Sequence, residues 1–585
     1  MNRQPRAILT LLLVAAMLVT LWVAWRGLHP TAPEPTPAQS TAPARGGTLT
    51  ASLRSEPRSF NRIAQRAFAT DLYATLTQGK LVRINRATQE LEPSLAERWT
   101  TSADGRTFTL ALRPGVRWSD GTPFTSADVA FSFQAAYDPK AASDLASALS
   151  VNGQPLGVST PDATTVVVTL PAPFGPGLRL LDNLTIAPRH KLQRALDEGT
   201  FARAWPASTP PGDLVSIGPF QLSRYEPGQR LVFDRNPRYW KKDAGGQALP
   251  YLDQLVLEIV PDQDAELLRL QSGAIDMLQQ HLRPDDIATL RAAQSDSVHT
   301  IELGVSTDPD ALVFNLRSTY WTHDPRGAFL PRREFRQALS HAVDREAFAN
   351  SVYLGAAVPI WGPITPGNTT WFSVNVPRYP FDLETAKALL AGLGLANRDA
   401  DEWWEDTRGV EARFTLITQR GNSALERSAA VLRDALRGIG VAVDVAPLEQ
   451  GALVDRMLKG DFDAIFLNYS ATSLDPALST DFWLSSGSAH VWNIGQATPA
   501  TDWERQIDQL MAQQAASSNQ AERKTLFDDV QRVFGEQVPA LYFVAPRLYM
   551  GVRSRVGHLT PSVLRPQLLW NAERITAEPA GSGHP

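Results

Sequence analysis

The 585-residue sequence contains no cysteine. That absence excludes disulfides, thiolate metal sites, iron–sulfur clusters and cysteine nucleophiles together. It leaves the compartment open, because a large domain needs no disulfide staple to be secreted. A marked excess of charge is missing too: 56 Lys and Arg face 61 Asp and Glu, a formal net charge of −5. Phosphate binding needs concentrated Lys and Arg, so no nucleic-acid partner is expected. Local signatures of chemistry are equally scarce. The nine histidines form no HExxH, HxH or comparable spacing, and there is no GxSxG elbow, GxxxxGK loop or GxGxxG loop. No catalytic residue, metal site or cofactor is therefore expected, and an enzyme would have to assemble its site from distant segments. No internal repeat occurs, and after residue 45 no low-complexity stretch appears before the tail at Ala577–Pro585.

What is present suits a large globular protein: 43% hydrophobic and 20% charged residues, at a length that predicts two or three lobes. Arg3 and Arg6 precede an uncharged run, Ala7–Trp25 (AILTLLLVAAMLVTLWVAW), closed by Arg26. Nineteen residues at the helical rise reach roughly 28 Å, close to the hydrocarbon thickness of a bilayer. The basic N-terminus should stay cytoplasmic and send the rest of the chain across the membrane. Residues 1–25 read as a signal anchor or a cleaved signal peptide; Val23, Ala24 and Trp25 lack the small-x-small cleavage pattern, which favours the anchor. Residues 26–45, rich in Pro, Ala and Thr, predict an extended linker.

From Gly46 onward, strand-like runs alternate with amphipathic helices. TLTASL (48–53), FTLAL (108–112), TTVVVTL (164–170), LVLEIV (255–260), ARFTLIT (412–418) and VAVDVA (441–446) have the length and branching of strands. Helices are predicted over Pro331–Val352, Asp382–Gly392, Ser423–Ile439 and Trp503–Phe534. In Ser423–Ile439 the residues Leu425, Ala429, Leu432, Leu436 and Ile439 make a one-sided apolar stripe, with Gly440 as the expected C-cap before the next strand. This helix–Gly–strand succession predicts α/β lobes.

Several acids and rings look reactive but have plainer uses. In RWSDGTPFTSADVAFSF (117–133), Asp120-Gly121 suits a turn, and Thr125 to Asp128 has capping-box spacing. Asp461 and Asp463 in GDFDAIF read as the start of a strand with a solvated acid, and His341 as a packed or surface side chain. Of the fifteen tryptophans, Trp361, Trp371, Trp403, Trp404, Trp483 and Trp492 sit in polar or Gly/Pro-rich settings. Core packing suits most of them, with some available to line a cleft.

Taken together, several spaced segments resemble the family 5 extracellular solute-binding proteins, the oligopeptide- and dipeptide-binding receptors of ABC importers. They are LEPSLAERWTTSADGRTFTLALRPGVRWSDGTPFTSADVAFSF (91–133), GPFQLSRYEPG with RNPRYW (218–228, 235–240), PYLDQLVLEIVPD with LQSGAID (250–262, 270–276) and FRQALSHAVDRE (335–346). FDLETAKALLAGLG (381–394), GIGVAVDV (438–445), GDFDAIF (460–466) and VPALYF (538–543) complete the set. The resemblance implies an α/β periplasmic-binding-protein fold of type II: two lobes closing over a solute at a hinge, plus a third domain. It places the solute-binding region at 46–577, with lobe I over about 46–76, 208–305 and 541–577, lobe II over about 77–207, lobe III over about 306–540, and a tail at 578–585.

By the same resemblance the ligand lies in an inter-lobe cleft, and its candidate contacts are Gln279, Gln280, Gln419, Asn422, Asn468, Tyr469, Thr472 and Tyr542. Their amides and phenols are neutral groups suited to backbone amides or sugar hydroxyls. Thr472 stands where peptide receptors commonly carry the aspartate that holds the peptide's ammonium, and a small gap could instead bring Asp475 there. The expected function is a periplasmic receptor, tethered to the inner membrane by residues 7–25, that binds a peptide or similar amide-rich solute as a monomer and delivers it to an ABC permease. Alternatives are a ligand sensor or scaffold on the same fold, or a receptor for a sugar or metal chelate. An enzyme on this fold ranks last, because no acid–base or nucleophile motif is visible.

Overall fold

The computed structural model describes residues 45–293, 295–469 and 474–578, so the run 7–25 and Thr472 lie outside the described residues. No helix among the described residues is long and apolar enough to cross a membrane.

Four sheets organise the chain. The first orders Thr48–Leu53, Gln254–Ile259, Arg230–Arg235 and Phe220–Glu226, its first pair parallel and the others antiparallel. The second is wholly antiparallel: Ala96–Thr101, Thr107–Leu112, Thr165–Thr169 and Gly157–Asp162. The third orders Ala442–Leu448, Arg413–Gln419, Ala464–Asn468, Asp310–Phe314 and Ala540–Tyr542. Its first three strands are mutually parallel, and Asp310–Phe314 runs antiparallel to both of its neighbours. In the fourth, Val544–Arg553 pairs with Val298–Val305 and Ala357–Pro359. All six strands expected from the sequence are present within these sheets.

Alternation along the third sheet explains its two cores. Leu312, Phe314, Phe414, Leu416, Ala464 and Phe466 face one core, which the helices Arg333–His341, Arg345–Tyr353, Leu383–Gly392 and Ser423–Arg437 cover. Ala311, Val313, Ile417 and Ile465 face the other, beneath Asp502–Ala516 and Gln520–Gln537. The first, second and fourth sheets share a single large core. The chain passes from the fourth sheet to the third at Ser306–Pro309 and returns at Phe543, and Ser306 N donates to Pro546 O at 2.8 Å to tie the two crossings.

Two helices predicted as single rods are broken. Pro331–Val352 is two helices, because the Asp344 carboxylate takes the Glu346 and Ala347 amides and caps a new N-terminus. Trp503–Phe534 likewise splits at Ser517–Asn519, where Asn519 caps Gln520–Gln537. Ser423–Arg437 ends on Gly438 rather than Gly440. Gly440 instead makes the turn into the next strand at φ +78°, where a Cβ would lie 2.2 Å from the Trp404 ring. Of the two acids at the entry of the strand Ala464–Asn468, Asp461 is exposed as expected, whereas Asp463 is buried, 2.8 Å from Arg326, and accepts the Thr415 amide at 2.9 Å and the Tyr320 hydroxyl at 3.0 Å. These three partners hold Asp463 in the interior.

The acids of the 117–133 stretch are structural. Asp128 closes the capping box with Thr125 and also accepts the Arg189 amide at 3.0 Å. Asp120 accepts the Thr122 amide at 3.0 Å and lies 2.8 Å from His190 Nε2, so both acids fasten the helix Arg189–Asp197. His341 is a surface side chain, its Nδ1 2.6 Å from Pro380 O.

Candidate functional site

The parallel strands Arg413–Gln419 and Ala464–Asn468 end on the same side of the third sheet, and the helix Ser423–Arg437 starts there. Carboxyl ends of parallel strands and helix N-termini leave backbone groups free, which makes this side the usual ligand position in α/β folds. Together with Ser306–Asp308 and Pro546–Leu548 at the chain crossings, these ends bound a cavity of about 1140 Å³. Its other walls are Gln280–Pro284, Val563–Arg565, and Ile84, Arg86 and Arg179 from the region of the second sheet. The cavity therefore lies where the regions built on three sheets meet.

Contacts across the junction hold those regions together. Gln89 Nε2 donates to Gly367 O at 2.6 Å and its Oε1 accepts the Thr369 amide at 3.2 Å. Gly175 N donates to Ala515 O at 2.7 Å, and Arg427 pairs with Asp285 at 3.2 Å.

Of the eight expected contact residues, Gln280, Gln419, Asn422 and Asn468 line this cavity. Gln280 Oε1 accepts from Arg54 at 2.8 Å, and Gln419 Nε2 reaches Gln450 at 3.4 Å. Asn422 is the N-cap of the helix, accepting the Leu425 amide at 3.2 Å. Asn468 pairs with Asp310 in register and donates to Asp308 O at 3.0 Å and Asp310 Oδ1 at 3.2 Å. Burial raises the Asp310 carboxyl above the ordinary carboxylate range, against hydrogen bonds from Tyr353 and Asn468.

Three of the eight sit elsewhere. Gln279 is buried away from these walls, its amide without a partner among the described residues. Tyr469 and Tyr542 belong to the aromatic core: the Tyr469 hydroxyl donates to Ala489 O, and that of Tyr542 reaches Tyr469 O at 3.4 Å. Burial raises both phenols. The eighth, Thr472, lies outside the described residues. Asp475 is not free to act in its place, because it forms a buried two-bond pair with Arg523 at 3.0 and 2.5 Å.

The tryptophans divide in the same way. Trp371, Trp483 and Trp492 are buried in the aromatic core, and no tryptophan of the described residues lines the large cavity. Trp361 lies under the Arg345 and Arg378 guanidiniums at 5.1 and 4.9 Å.

Sequence reasoning missed the charged lining. Arg54 pairs with Glu266, Arg283 with Asp264 and Asp286, and Arg547 with Glu302. Asp308, Arg86 and Arg565 make no side-chain hydrogen bond or ion pair among the described residues. The His281 imidazole on the cavity wall is pushed down to about 4 by desolvation and by the Arg565 and Arg54 guanidiniums, against the Asp308 carboxylate. No local pattern marks these residues: Asp308 precedes the strand Asp310–Phe314, Arg86 follows the short strand Val82–Ile84, and Arg565 lies in the segment SVLRPQ, far apart until the fold gathers them. No group of three or more His, Cys, Asp or Glu able to hold a metal occurs among the described residues.

Residues 90–490 match the bacterial extracellular solute-binding proteins, family 5, middle part. The chain is similar to a probable ABC transporter-binding protein of Deinococcus radiodurans, 27% identical over 510 residues that cover 83% of this chain and 85% of the relative. It is also similar to the dipeptide-binding protein of Escherichia coli strain K12, 26% identical over 531 residues, covering 87% of this chain and 91% of the relative. Among solved structures, the ABC transporter substrate-binding protein CtaP of Listeria monocytogenes superposes with a TM-score of 0.75 at 22% identity, over 91% of this chain and 99% of that one, a likeness of fold.

Proposed function

The chain belongs to the bacterial extracellular solute-binding proteins of family 5, and we propose that it is a periplasmic receptor that binds a peptide or similar amide-rich solute and delivers it to an ABC permease. The observation that carries this reading is the cavity itself. At about 1140 Å³ it lies at or above the top of the usual range for small-molecule pockets, roughly 300–1,000 Å³. It is lined by amides, backbone ends and charges, three of which make no side-chain hydrogen bond or ion pair among the described residues. The family is one of solute receptors, and the Escherichia coli relative is named as a dipeptide-binding protein.

A free peptide needs a counter-ion for its ammonium, and a hydroxyl at Thr472 is none. Asp308 supplies a carboxylate without a partner at the cavity wall. Delivery requires that solute favour a closed form over an open one, since only differential affinity shifts such a population. The paired crossings at Ser306–Pro309 and Phe543–Pro546 are the natural hinge, with lobe I, lobe II and lobe III divided as the family resemblance places them. Residues 7–25 serve as the tether to the inner membrane.

Native mass spectrometry of the full chain purified from its own host tests the reading. A co-purified peptide mass, with thermal stabilisation by peptide libraries and no turnover, is the expected result. Stabilisation by sugars or metal chelates alone would replace the solute class, and product formation from a bound ligand would remove the receptor reading altogether.

A further inference from the structure

Behind the cleft lies a second chamber of about 500 Å³. It shares Ile84, Arg86, Asp182, Asn183 and Arg565 with the cleft, so the two spaces adjoin at these side chains. The Ser562 hydroxyl donates to Arg86 O at 2.7 Å, which pins the loop bearing Arg565 beside the loop bearing Arg86.

The acids and cations of this chamber do not balance. Lys80 lies 3.1 Å from Asp182, and Arg83 lies 3.3 Å from Glu573 while also pairing with Glu92. Arg62 is held by Asp71, and Arg62 and Arg66 share Asp144 at 3.9 and 3.8 Å. Arg86 and Arg565 remain unmated among the described residues. Two free guanidiniums can only donate, and the occupant they suit carries negative charge and several acceptor oxygens.

We infer that this chamber is an anion subsite of the cleft, in which Arg86 and Arg565 hold a carboxylate or phosphate group of the bound solute. The inference rests on the receptor reading and adds the chemical class of one end of the solute. Burial lowers the Lys80 ammonium, Asp182 opposes that and Arg86 adds to it, as expected where cations crowd without enough acid. For a peptide solute the anion is a terminal or side-chain carboxylate, presented to a planar fork that matches it in two bonds.

The test compares two tripeptide libraries of the same composition, one with free carboxyl termini and one C-terminally amidated, titrated into the full chain and into its Arg86→Gln/Arg565→Gln variant. The expected result is binding of the free library at least ~10-fold tighter than the amidated one to the unaltered chain, and loss of that preference in the variant. Equal binding of both libraries to the unaltered chain, or an undiminished preference in the variant, overturns the anion subsite while leaving the receptor reading intact. If neither library binds, the peptide reading falls, and inorganic phosphate at constant ionic strength decides the subsite. Saturable thermal stabilisation by phosphate that the variant lacks supports it, and its absence overturns it. Should the double variant fail to fold, Arg565→Gln alone, at an exposed side chain, carries the same comparison.

Discussion

Two regions of this chain enclose charge, and they treat it in opposite ways. Behind the strand Ala464–Asn468, Asp475 and Arg523 are 2% and 3% exposed and meet in two bonds, with Gln514 Oε1 at 2.8 Å and the Trp371 ring 4.9 Å from the guanidinium. Nearby, Glu504 accepts from Thr501, Gln496 and Ala500 and lies 3.2 Å from His490. Every charge there has its partner within the chain. In the cleft, Asp308, Arg86 and Arg565 face water-sized space without one among the described residues. A charge removed from water must be mated or it destabilises the fold. The aromatic core spends its charges on its own structure, whereas the cleft keeps three for something outside the chain.

The sharpest way to break this contrast is Arg523→Met, which strands Asp475 in the aromatic core. We expect a loss of roughly 3–5 kcal/mol in denaturant unfolding, with much of it recovered in the Asp475→Leu/Arg523→Met double variant. A loss below about 1 kcal/mol would show that the pair is not structural. Next in size is acid stability. Burial alone would raise the Glu504 carboxyl, but hydrogen bonds from His490, Gln496 and Thr501 outweigh it and bring the group down to about 2. A carboxyl held below its unfolded value stabilises the fold above that value, near 4.5, and the contribution is lost as pH falls through about 2. About 3 kcal/mol should therefore disappear over that window, and Glu504→Gln should flatten this part of the stability–pH curve.

Smaller effects are expected at the rim and within the cleft. Arg427→Ala removes an ion pair whose acid is 62% exposed, and stability should change by less than about 1 kcal/mol, and less still in high salt. Arg86→Gln and Arg565→Gln should leave the unliganded protein within about 0.5 kcal/mol of its original stability, because neither side chain holds a partner. Marked destabilisation by either would make these arginines structural and erase the distinction between the two regions.

Legibility in the sequence followed the range of the interactions. The capping box at Thr125–Asp128 and the stripe Leu425, Ala429, Leu432 and Leu436 depend on residues a few positions apart, and both are present as expected. The breaks at Asp344 and Asn519 were local as well, but apolar periodicity masked the capping side chains that interrupt it. Of the polar candidates near the strand ends, Gln419, Asn422 and Asn468 reach the cavity because all belong to one edge of the third sheet. Tyr469 follows Asn468 directly, yet its ring enters the aromatic core with Phe482 and Trp492, since successive side chains along extended backbone face opposite ways.

By itself the sequence determined the α/β class, the family and the six strands and striped helix with the clearest patterns, because these rest on periodicity, caps and spaced motifs within short windows. The tertiary structure alone decided which charges are spent and which are left over. Asp475 is removed from the candidates by an arginine 48 residues away, and the Ser562 hydroxyl holds Arg86 O across 476 residues to set Arg565 beside it. Whether a buried charge is mated depends on what the fold brings within about 4 Å of it, and no stretch of sequence contains that distance.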